Sequence, residues 1–86
     1  MEEQINEDND HQTQNINKAS ELNRLACNLI DEGDLDTARE HLNDAIRHTS
    51  NLAEPHTNLG VLHCWEGELD DAVSLHLKAL ELGPIL

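Results

Sequence analysis

Aromatic side chains are almost missing from this sequence. Tyr and Phe do not occur, and Trp65 is the single aromatic residue, so a core has to be built from Leu, Ala and Ile. Basic residues are also scarce, 5 Lys and Arg against 18 Asp and Glu, a formal net charge of -13. A field of that sign repels phosphate backbones and anionic lipid headgroups, which argues against nucleic-acid and membrane partners. It favours a basic partner, because opposite fields accelerate encounter. No apolar run approaches the ~20 residues needed to span a bilayer. The opening MEEQINEDND lacks the basic start and apolar stretch of a secretory signal. Two cysteines, Cys27 and Cys64, make no disulfide framework, so a reducing, cytoplasmic setting is expected.

Residues 1–18 stand apart in composition. Beyond Met1 their only apolar residues are Ile5 and Ile16, amid Asn, Gln, Asp and Glu. Such a segment buries too little surface to offset its ordering entropy, and a flexible tail is predicted. From Ala19 onward the chain repeats itself. A shift of 34 residues places Leu25 on Leu59, Gly33 on Gly67, Leu35 on Leu69, Ala38 on Ala72 and Ala45 on Ala79. Two units, 19–52 and 53–86, fill the rest of the chain. The charge divides as -4 in the tail, -4 in the first unit and -5 in the second, so no acidic domain stands alone.

Each unit reads as a helical hairpin, which makes the fold class all-α. Leu22, Leu25, Ala26, Leu29 and Ile30 follow the spacing of one helix face turned to a core. Gly33 ends that helix, because glycine adopts the positive φ of a C-terminal cap. Asp34 is placed to cap the next helix, with Asp36 in its first turn. Leu35, Ala38, Leu42, Ala45 and Ile46 form the second apolar face. In the second unit Asn51 is expected to cap a helix that tolerates Pro55 in its first turn and stops at Gly67. The last helix should run from about Leu69 to Leu82, where Gly83 and Pro84 give a stop signal. Four helices of about 12–15 residues are predicted.

This 34-residue unit resembles the tetratricopeptide repeat, whose signature sets aromatic, Leu-Gly, Ala and Pro positions at fixed spacings. Leu59-Gly60, Gly67, Ala72, Ala79 and Pro84 sit at the matching spacings in the second unit. The first supplies Leu25-Ala26, Gly33, Ala38 and Ala45, with Ser50 where Pro would stand. The family's three aromatic slots hold Leu22, Leu29 and Leu42 in one unit and His56, His63 and His76 in the other. His63 and His76 are therefore expected to face each other inside the second hairpin.

The resemblance implies an α-solenoid, a right-handed superhelix whose first helices line a concave groove that receives partner peptides. A protein–protein interaction module, scaffold or adaptor, follows from it. The groove-facing candidates are Asn23, Cys27, Ile30, Asp31, Asn58, Val61 and Trp65. One subclass of the family clamps the C-terminal carboxylate of heat-shock chaperones with Lys and Asn. Asn58 matches one clamp position here, but Asn23 replaces the Lys, Cys27 replaces an Asn, and a third repeat is lacking. That clamp is not expected.

Solenoids bury each unit against its neighbours and need polar ends. At the positions where the first unit has Arg39, His41, Asn43 and His48, the second has Val73, Leu75, Leu77 and Leu82. Ile85 and Leu86 follow. An apolar last helix predicts self-association through these residues, a symmetric homodimer, or a neighbouring repeat. A purely structural assembly unit with an empty groove is the alternative function.

Histidine and cysteine invite a metal reading. His63, Cys64 and His76 suit zinc in type, but no Cys-x-x-Cys or His-x-x-x-His pair occurs; a packed imidazole pair is the expectation, with no cofactor, and a His/Cys metal binder is a remote alternative function. The turns DEGDLD (31–36) and EGELDD (66–71) lack the alternating oxygen ligands of a calcium loop. No Gly-rich phosphate loop or nucleophile elbow is present, and no enzyme is predicted.

Overall fold

A computed structural model describes residues 2–83, with side chains from Gln12 onward, and among these residues every regular element is helical. The order is α1 (Glu2–Glu32), α2 (Leu35–His48), α3 (Ala53–Trp65) and α4 (Leu69–Leu82). α1 and α2 pair as one antiparallel hairpin, α3 and α4 as a second, and α3 docks against α1 and α2.

The turns form for the reasons their residues suggest. Gly33 and Gly67 carry φ values of +89° and +82°, a backbone state that costs an L side chain about 1–2 kcal/mol. Asp34 caps α2, its carboxylate accepting from the Thr37 amide at 3.3 Å. The start of α3 differs from expectation. Its cap residue is Leu52, not Asn51, and no side chain bonds the first turn. Pro55 has no N–H to satisfy, which lowers the demand for a cap, and the Asn51 amide instead donates to Thr49 Oγ1 at 3.3 Å.

The first helix also departs from expectation. α1 spans 31 residues and includes the segment whose composition suggests a tail. No Gly or Pro interrupts residues 2–32, so no local breaker ends the helix before Gly33. At 1.5 Å per residue α1 is about 46 Å long, roughly twice its neighbours. Gln12 to Lys18 are accordingly exposed, and the first buried residue of α1 among the described side chains is Ala19.

The core is small and aliphatic. Ala26, Ala38 and Leu42 from the first hairpin meet Leu59 and Leu62 from α3, and Leu29, Ile30, Leu35, Ile46 and Leu75 pack around them. Small residues let the helices approach closely. A Cβ built on Gly60 would stand 2.9 Å from the His76 ring, so this glycine is what admits the imidazole.

Candidate partner-binding surfaces

The face formed by α1 and α3 brings three of the seven groove candidates together. Asn58 Nδ2 donates to Asn23 Oδ1 at 2.8 Å and lies 3.5 Å from Cys27 Sγ, a polar tie between the first helices of the two units. On the same side of α3, one and two turns further on, Val61 is half-buried and Trp65 is 60% exposed. Asp31 is exposed, whereas Ile30 packs against the core cluster and contributes little to an open surface. A single indole left this accessible is a ready apolar anchor for a partner.

The last helix presents a second surface. Leu69, Val73, Leu77 and Leu80 are 59%, 56%, 59% and 59% exposed and fall in one stripe along α4. Of the residues expected to drive self-association, Val73 and Leu77 belong to this stripe. Leu75 turns inward against the core, Leu82 is half-buried, and Ile85 and Leu86 lie outside the described residues. Leu69 and Leu80 were hidden from the sequence comparison because their counterparts Leu35 and Ile46 are apolar too. Between α3 and α4 runs an open cleft of about 690 Å³, lined by Ala53, Glu54, Asn58, His76, Ala79 and Leu80 among others.

The histidines divide into different roles. Among the described side chains His56 is the buried histidine, 4% exposed, with Nδ1 2.9 Å from the Leu52 carbonyl. A carbonyl only accepts, so Nδ1 carries the proton. His63 turns instead to the α3–α4 turn, its Nδ1 2.5 Å from Glu68 Oε1. His76 is half-buried over Gly60 and lines the cleft. Metal-ligand types do converge, but they are His63, Glu66 and Glu68, with donor atoms within 4.8 Å of one another, and Cys64 is not among them. Glu66 is already engaged by Arg39 of α2, and Glu68 by His63, so local pairing accounts for the cluster. Cys27 and Cys64 are free thiols, half-buried and exposed.

The pairs Arg39–Glu66 and His63–Glu68 escaped sequence reasoning. Only the 34-residue shift could have signalled the first, by setting the end of α3 beside α2. Among the described residues no helix is long and apolar enough to cross a membrane. Comparison with protein-family models, curated proteins and solved structures gave no match.

Proposed function

We propose that this chain is a two-unit, tetratricopeptide-like interaction module that holds a segment of a partner protein. The observation that carries the reading is an exposed Trp65 beside a polar seam in which Asn58 meets Asn23 and Cys27. Support comes also from the repeat itself, and from the docking of α3 mainly on α2 with a smaller contact to α1. Burying that indole in a partner's apolar pocket would supply affinity, and the amides would give orientation. The -13 charge favours a basic partner by raising the encounter rate.

The test is capture of partners from the source lysate by the wild-type chain and by Trp65→Ala. Loss of a specific partner in the variant supports the reading. Identical capture by both proteins removes the groove from it. A structural assembly unit is the second reading, favoured by the exposed Val73 and Leu77 of α4. Sedimentation at micromolar concentration separates the two, since an assembly unit must exceed 9.6 kDa without any ligand.

A further inference from the structure

The chain carries its own template for what fills the α3–α4 cleft. A 34-residue shift relates the cleft residues Ala53, His76, Ala79 and Leu80 to Ala19, Leu42, Ala45 and Ile46 of the first hairpin. There three of the four positions are fully covered and Ile46 is half-buried. Ala19, Leu42 and Ala45 are 0% exposed, and Leu42 shares a cluster with Leu59 and Leu62 of the docked α3. In the second hairpin the same positions line the cleft: Ala79 stays buried at 7%, Ala53 and His76 are half-buried, and Leu80 is 59% exposed.

A second position points the same way. Arg39 of α2 reaches forward to Glu66, at the end of the helix that docks on the first hairpin. Its counterpart on α4 is Val73, so a residue facing the equivalent place in the second hairpin is apolar and unpartnered. We propose that the α3–α4 cleft and the Leu69–Leu80 stripe together seat an amphipathic helix of another protein, apolar on one face and basic along its flanks.

The apolar face follows from α3, whose buried Pro55, Leu59 and Leu62 stand at i, i+4 and i+7. The basic flanks follow from the rim. Glu54 lines the cleft on the α3 side. Asp70 and Glu81, both exposed, follow the outer edge of the stripe on α4. Lys78 is the only Lys or Arg in the second unit, and it is turned to Glu81 at 3.8 Å. Among the described residues, the helix face of a second copy equivalent to that of α3 does not match. Where α3 presents Pro55, Leu59 and Leu62, α1 presents Glu21, Leu25 and Asn28, all exposed. Pairing α4 with another α4 antiparallel would bring Asp70 near Glu81 of the other copy, carboxylate against carboxylate.

This proposal rests on the interaction-module reading and adds a second surface to it, with the partner's chemistry named. The probes are Trp-free helical peptides as long as α3, 13 residues. One has a Leu stripe flanked by Lys, one the same stripe flanked by Glu, and one the Lys composition with the stripe scrambled. Binding is read by calorimetry. The Lys-flanked stripe should bind at least about tenfold more tightly than either control. Its affinity should fall between about 50 and about 500 mM salt. Leu80→Asp should weaken it about tenfold or more, with helical circular dichroism unchanged because Leu80 is already exposed; Val73→Ser supplies a second, milder variant.

Failure of the Lys-flanked stripe to bind overturns the proposal, as does equal binding by the scrambled peptide. A ligand-free dimer dissociated by Leu80→Asp overturns it too, because a second copy then fills the cleft. If the striped peptide fails while Trp65→Ala still abolishes partner capture, only the cleft assignment falls. If both fail, the interaction reading falls with it.

Discussion

Gly60→Ala has a sign that depends on one neighbour, which makes it a sharp test of the packing. Taken alone, alanine in a helix interior is favoured over glycine by about 1 kcal/mol. Here the new Cβ would lie 2.9, 3.0 and 3.2 Å from Cε1, Nε2 and Nδ1 of His76, closer than carbon and nitrogen pack. Overpacking of this kind costs about 1–3 kcal/mol; a middle value of about 2 kcal/mol outweighs the propensity gain. The single variant should therefore lose about 1 kcal/mol, or about 4–8 °C in Tm for a domain of this size. The first hairpin contains the remedy. At the positions equivalent to Gly60 and His76 it has Ala26 and Leu42, both fully buried in one cluster. Gly60→Ala with His76→Leu recreates that pair and should be at least as stable as the wild type. Urea unfolding of the four proteins of the cycle, followed by helical circular dichroism, measures the coupling, expected near 2 kcal/mol. A coupling below about 0.5 kcal/mol would show that the ring and the glycine do not depend on each other.

Other substitutions probe separate features. Leu62→Ala removes a side chain 1% exposed in the core and should cost about 2–5 kcal/mol in urea unfolding, whereas Val73→Ser on the open stripe should stay within about 0.5 kcal/mol. Asp34→Ala removes the cap on the Thr37 amide and should cost about 1 kcal/mol; Asp34→Asn, which keeps the accepting oxygen, should not. At Gly33 a Cβ meets nothing within 4 Å, so Gly33→Ala should cost only the about 1–2 kcal/mol of its positive φ, and Gly33→Asn less than Gly33→Ala. The Arg39–Glu66 pair joins partly exposed groups, 26% and 38%, and a double-mutant cycle should return a coupling below about 1 kcal/mol.

The fold was most legible where backbone chemistry leaves little choice. Gly33, Gly67 and Asp34 announce their turns because positive φ and an unpaired helix N-terminus each admit few residue types. The four helices and the two hairpins follow from apolar spacing. Helix lengths were less legible: nothing in residues 2–18 breaks a helix, and composition speaks to burial rather than to backbone state. The histidines show a further limit. Repeat spacing puts His56, His63 and His76 in equivalent slots, yet one donates to a carbonyl, one to a carboxylate, and one rests on a glycine. Which partner an imidazole takes depends on neighbours several residues away, and a 34-residue period does not encode them. Of the groove candidates, Asn23, Cys27 and Asn58 come together, while Ile30 is drawn into the core.

The two hairpins share a period but differ in what they present outward, and that difference has a direction. The outer face of α1 is polar at Glu21 and Asn28, with Leu25 only 36% exposed. The outer face of α4 is apolar over Leu69, Val73, Leu77 and Leu80. Two apolar ends would let copies stack head to tail, a heterologous contact that does not close and so grows into fibres. A polar face on α1 disfavours that route, and the acidic surface of each copy adds repulsion between copies. What is left at the α4 end is an apolar strip with a carboxylate rim. Apolar area favours any occupant that excludes water, but the rim discriminates, because desolvating carboxylates without a cation opposite them is costly. On the proposed docking, selectivity at this end resides in Glu54, Asp70 and Glu81 rather than in the leucines beside them.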